Sequence, residues 1–194
     1  MEEYDEEKNM QQREIKLGIP SYITVESEEG SFIGEQNSLK FEKEDICVEA
    51  NENGEIWLTA DTAPVKTVKL RWNTPLERTS KILGGVWERT YGDAEWKGMS
   101  GTRFMPWYFL ALNEGVVTGY GVKVRPSAMC FWQADTRGIT LVLDVRCGGT
   151  GVVLSGRKLL AAEVVAMQAD DCTSFEAAKA FCRCMCTDPI LSLI

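Results

Sequence analysis

The sequence predicts an all-β fold, an antiparallel β-sandwich with one helix at its C-terminal end, on three observations. Apolar and polar residues alternate with period two over most of the chain, as in Val68, Leu70 and Trp72 against Thr67, Lys69 and Arg71. Turn-forming residues recur at short intervals between these runs. The period becomes helical only once, after Thr173.

Residues 1–14 are acidic and polar and are expected to form a flexible tail, with the sandwich domain following over 15–170. Residues 21–26 read as a first strand. Residues 46–50 and 55–60 read as a hairpin pair joined by Asn51-Glu52-Asn53-Gly54, whose Asn-Gly step favours a tight reversal. Residues 65–72 alternate cleanly, so one face is buried and the other wet. Residues 103–112 are strand-like, but Pro106 has no N–H for a ladder, which places an edge or a bulge there.

Asn113-Glu114-Gly115 turns the chain into a strand over 116–124. Strands over 127–134 and 139–146 follow, separated by Asp135-Thr136-Arg137-Gly138. Gly148-Gly149-Thr150-Gly151 reads as a hairpin turn into 152–154, since no helix with a basic residue follows to make a phosphate loop. Residues 158–168 form a last long strand. Thr173-Ser174-Phe175-Glu176 is a capping box, and Phe175, Ala178, Cys182 and Met185 then keep helical spacing with Phe181 alongside. The helix is expected to stop near Cys186, before Asp188-Pro189.

Composition bounds the function. The chain has 194 residues, enough for a real core, and a formal net charge of −8. That charge argues against a nucleic-acid backbone or an anionic membrane surface as partner, because both need clustered Lys and Arg. No apolar run approaches a membrane span, and no signal peptide is visible, so a cytoplasmic location is expected.

There is no histidine, which removes Ser-His-Asp and Cys-His nucleophilic systems and His-ligated metals. Seven cysteines, an odd number in a chain with no export signal, read as reduced thiols. Cys182-Arg183-Cys184-Met185-Cys186 has C-x-C-x-C spacing rather than a C-x-x-C zinc knuckle, so no metal is expected. The acidic opening lacks the regular ligand spacing and glycine of a calcium loop.

Four of the six tryptophans fall between residues 86 and 132, mixed with carboxylates. Indole faces beside carboxylates suit sugar rings, whose C–H faces stack and whose hydroxyls donate. Here stand Trp87-Glu88-Arg89-Thr90-Tyr91-Gly92-Asp93-Ala94-Glu95-Trp96, Met105-Pro106-Trp107-Tyr108-Phe109-Leu110, Tyr120-Gly121-Val122-Lys123 and Met129-Cys130-Phe131-Trp132-Gln133. Leu143-Asp144-Val145-Arg146 with its glycines follows, then the segment from Phe175 to Cys186 with Asp188-Pro189.

In this order, over residues 87–186, these motifs resemble the N-terminal domain of clan D glycoside hydrolases, specifically α-galactosidases of the family-36 type. The resemblance implies a galactose-mutarotase-like β-supersandwich, a linker helix, and then a (β/α)8 barrel that carries the nucleophile and acid/base aspartates of a retaining mechanism without cofactor. Residues 171–194 would be the linker helix and the start of that barrel. Leu191-Ser192-Leu193-Ile194 departs from the family pattern, so none of the family's catalytic residues carries over to this chain. The expectation is a non-catalytic domain, read as a fragment, that buttresses a barrel absent here and shapes its α-galactoside pocket.

Asp93 and Glu95 share a face if they lie on one strand, roughly 6–7 Å apart. That separation falls near the ~5–9.5 Å of glycosidase carboxylate pairs, but such pairs flank a bond from opposite sides, which same-strand neighbours do not. Barrel contact, a supporting place beside the sugar pocket, or pairing with Arg89 or Lys97 are the roles left open. Trp96, Trp107 and Trp132 are candidate sugar platforms, or else core residues with locally satisfied N–H groups. A free-standing carbohydrate-binding module and a homo-oligomerising domain are the alternative functions, the latter through apolar surface on residues 175–194.

Overall fold

Period-two alternation buries one side of a strand, and two sheets are needed to bury each other's apolar sides. The computed structural model describes residues 10–85, 95–146 and 149–186, and it has this arrangement. In chain order the elements are β1 (Gln11–Glu14), β2 (Tyr22–Ser27), β3 (Gly30–Ile33), β4 (Lys40–Lys43), β5 (Ile46–Ala50), β6 (Glu55–Ala60), β7 (Val65–Trp72), β8 (Lys81–Gly84), β9 (Lys97–Gly98), β10 (Met105–Pro106), β11 (Tyr108–Asn113), β12 (Val116–Val122), β13 (Met129–Asp135), β14 (Gly138–Asp144), β15 (Leu159–Asp170) and α1 (Ser174–Met185).

The larger sheet runs β4-β5-β6-β15-β12-β11-β8-β9, with β1 also paired to β15, and the smaller runs β10-β13-β14-β7-β2-β3. Every pairing among the named strands is antiparallel. The fold is thus an all-β sandwich with a single C-terminal helix, the class the alternation predicts.

Between the sheets lies the main core. Its centre is an aromatic cluster: Phe109 stacks on Tyr120 at 4.9 Å, and Trp132 lies 6.0 Å from Phe109 and 6.1 Å from Trp72. Burying aromatic side chains of this size contributes roughly 4–6 kcal/mol each before entropy is counted. The two indole N–H groups are satisfied locally. Trp132 Nε1 donates to the Trp107 carbonyl at 3.3 Å, and Trp72 Nε1 to the Gly18 carbonyl at 3.1 Å.

A second cluster covers the other face of the larger sheet. Leu110, Val117, Met167 and Ala169 point outward from β11, β12 and β15, and Ala177, Ala180, Phe181 and Met185 of α1 pack onto them. Gly119 and Gly121 make this possible. A β-carbon on Gly119 would lie 2.5 Å from the Phe181 ring, and one on Gly121 would lie 2.7 Å from Met185 Sδ. The helix starts at the expected capping box: the Thr173 hydroxyl accepts from the Glu176 N–H, and the Glu176 carboxylate accepts from the Thr173 N–H at 2.7 Å.

Several details differ from the sequence reading. The stretch expected as a tail contributes β1, where Arg13 donates to the Gln168 side chain of β15 at 2.6 Å. The helix is rotated: it buries Ala177, Ala180 and Phe181 with Met185, while Phe175 is 76% exposed, because the glycine trough accepts Phe181. Residues 152–154 form only a bridge from Val152 to Val65. The run expected as one strand over 103–112 is two, β10 and β11, in different sheets.

The break between those two is Trp107, held at φ 68°. Its N–H donates to Cys130 of the smaller sheet at 3.0 Å, and its carbonyl accepts from Val122 of the larger at 3.2 Å. One residue thereby ties the two sheets together. The expected edge at Pro106 is present, since β10 is the outer strand of the smaller sheet.

Candidate functional site

Glu95 and Trp96 belong to the outer face and edge of the larger sheet. Asp93 lies outside the described residues, as do Trp87 and Tyr91, so the Asp93–Glu95 pair has no geometry here. Glu95 sits just before β9 and is exposed, with its carboxylate 2.9 Å from Lys97 Nζ. This is the local pairing left open by the sequence. An exposed pair of this kind contributes little stability.

Trp96 is half-buried and packs into the outer cluster with Leu83, Tyr108 and α1. The Tyr108 ring lies 6.3 Å from Phe181, and burial, with a smaller contribution from neighbouring Cys182, holds its hydroxyl above the usual tyrosine range. Trp96 and Tyr108 therefore pack at the edge of an apolar cluster centred on buried Phe181, with Glu95 and Lys97 flanking Trp96 in sequence. Phe175 extends the apolar character to the helix start.

The other tryptophans have different surroundings. Trp132 is fully buried between the sheets and is core. Trp107 is 40% exposed at the sheet crossover. Trp57 points outward from β6, donates to the Glu55 carboxylate at 3.0 Å, and carries Lys158 Nζ over its ring at 5.3 Å. Trp57 and Trp96 share the outer side of the larger sheet, but β15, β12, β11 and β8 intervene. Strand spacing puts them roughly 24 Å apart, too far to stack on one sugar ring.

Charged side chains on the smaller sheet's outer face are tied to one another. Glu26 accepts from Lys69 and Thr67, each at 2.7 Å, Arg71 donates to Asp135 at 2.8 Å, and Arg146 to Asp144 at 2.6 Å. Each carboxylate is held below its usual range, chiefly by the hydrogen bond from its basic partner. Carboxylates paired in this way are poor proton donors at neutral pH.

The six described cysteines are free thiols. Cys130 is buried, and desolvation pushes its thiol up to about 12. Cys184 Sγ lies 3.6 Å from Met167 Sδ. Among the described residues no three Cys, Asp or Glu side chains come together as a metal-holding group, and no helix is long and apolar enough to cross a membrane.

A feature the sequence reading missed is a cavity of about 280 Å³ beside β15. Residues 14–19, the 50–54 turn, Trp72 and residues 164–166 line it. These segments are far apart in sequence, and only the pairing of β15 brings them together.

No family model, curated protein or solved structure matches this chain.

Proposed function

We propose that this chain is the non-catalytic sandwich domain of an α-galactosidase-like retaining glycosidase, and that a (β/α)8 barrel seats against α1 and the Trp96–Tyr108 surface. The ordered set of motifs from Trp87 to Asp188-Pro189 carries this reading. An all-β sandwich with one terminal helix agrees with the domain those motifs imply. Half-buried Trp96 and the exposed Phe175 supply apolar surface for a second domain to cover.

On this reading the reacting aspartates belong to the barrel, and the α-galactoside touches this domain only at the pocket wall, near Glu95 and Trp96. The barrel performs double displacement; this domain holds it and excludes water from one side of the pocket.

An aryl α-galactoside assay on the purified chain tests the first half. No hydrolysis is expected beyond that of an Asp93→Asn, Glu95→Gln double variant, and turnover lost in that variant would overturn the assignment. Reading the coding DNA downstream of the Ile194 codon tests the second half. A frame encoding barrel strands there supports the proposal, and its absence from both that frame and the adjoining genes counts against it.

A further inference from the structure

We propose that the cavity beside β15 is a binding site for a small uncharged apolar molecule, about the size of naphthalene or a monoterpene. The cavity sits where the larger sheet splits. Along one edge of β15, β6 pairs with residues 159–163 and β1 with residues 167–170. Between these partners two hydrogen bonds among the described residues close the edge, Val164 N–H to the Gly54 carbonyl at 2.8 Å and Ile15 N–H to the Ala166 carbonyl at 2.9 Å. About 280 Å³ lies unfilled behind that gap. Val164, Ala50, Ile15 and Leu17 pack against the main core but are only partly buried, because the void reaches them.

The chemistry of the wall selects the ligand. Most of its wall is aliphatic and aromatic, with Ile15, Leu17, Leu39, Ile56, Trp72 and Val164 among its residues. Several of the backbone and side-chain polar groups along it are already paired. The Gly18 carbonyl accepts from Trp72 Nε1, Ala50 N–H donates to Leu39, and Asn51 Oδ1 accepts from the N–H groups of Asn53 and Glu55.

A sugar brought into this space would lose its hydration and find few donors or acceptors in exchange. Water needs two to four polar partners to be held, and the apolar wall does not supply them. An apolar cavity of ~150 Å³ stays dry and accepts benzene, so one nearly twice as large suits two fused rings or about ten carbons. The charged groups nearby, on Glu14, Lys16 and Glu52, are exposed at the mouth. Gly18, at φ 69°, breaks the strap of residues 15–19 between two anchored strands, where a hinge movement would admit a ligand.

This inference is independent of the barrel assignment, and either stands without the other. The test uses naphthalene as probe and galactose as comparison, titrated into the full 194-residue chain. Naphthalene is expected to bind saturably and to shift the methyl resonances of Ile15, Leu17, Ile56 and Val164, leaving those of Leu110 and Val117 in the outer cluster unmoved. Galactose is expected to shift none of these.

Ala50→Phe places a ring inside the cavity and is expected to weaken naphthalene at least about tenfold while keeping the wild-type circular dichroism. Absence of saturable binding to the wild type overturns the proposal. So do shifts confined to the outer cluster, or undiminished binding by a folded Ala50→Phe chain. Should that variant not fold, the methyl map of the wild type decides alone.

Discussion

Phe181 of α1 occupies a trough that Gly119 of β12 leaves open, with only 2.5 Å between its ring and the place a β-carbon would take. The contact fixes both the rotation of the helix and its height over the larger sheet. Gly119→Val is therefore expected to lift the helix and to destabilise the chain by about 1–3 kcal/mol, the range for overpacking a tight interface. Urea unfolding followed by tryptophan fluorescence measures this. An unchanged midpoint would show that the helix is not held through this contact.

The start of the same helix supplies a second prediction. Thr173 and Glu176 close a reciprocal capping box. Thr173→Ala removes the hydroxyl acceptor and is expected to cost about 1 kcal/mol, whereas Phe175→Ser, at a 76% exposed position, is expected to leave the isolated chain nearly unaffected. Thermal unfolding of the two variants side by side separates the capping effect from a general effect of the helix N-terminus.

Acid stability follows from the paired carboxylates of the smaller sheet. Asp135 is lowered chiefly by the hydrogen bond from Arg71, Glu26 by that from Lys69, and Asp144 by that from Arg146. A depressed folded-state pKa adds stability above the unfolded value, near 4, and that contribution disappears as pH falls through the lower folded value. Melting temperature is expected to hold steady near neutrality and to decline from about pH 5 downward. Asp135→Asn should begin with a lower melting temperature and show a shallower decline. These groups are partly exposed, so added salt should reduce the difference between the two chains.

The thiols should separate by location. Cys130 is buried with its thiol pushed up to about 12, so iodoacetamide is expected to label it only after denaturation. Cys182 and Cys184 are exposed on α1, and partial desolvation holds their thiols above the usual range. They should react slowly at neutral pH and faster as pH rises. Peptide mass spectrometry of the labelled native chain distinguishes these classes, and early modification of Cys130 would mean that the aromatic core opens readily.

What the sequence conveys about this fold depends on where each strand lies. β5, β6 and β7 match their expected limits because each alternates between a wet and a dry side. β1 is invisible to such reading: Gln11-Gln12-Arg13-Glu14 has no apolar residue, and it pairs through its backbone and the Arg13–Gln168 hydrogen bond on an edge that tertiary structure provides. β4 buries only Phe41, too little for a pattern. The switch at Trp107 is hidden because no glycine or asparagine marks its positive φ. The helix was legible from its cap, but its rotation depended on two glycines more than fifty residues away. Glu95 and Trp96 were found by composition, and their surroundings required the fold. The cavity left no sequence signal, since its walls come from segments up to about 150 residues apart.

β15 carries the inter-sheet core on one side and the helix cluster on the other, through Ala166 and Val164 inward and Met167 and Ala169 outward. Damage to this ribbon should propagate both ways at once. Calorimetry on the whole chain ought to give one melting peak, with the helix departing in the same step as the sheets rather than peeling away beforehand.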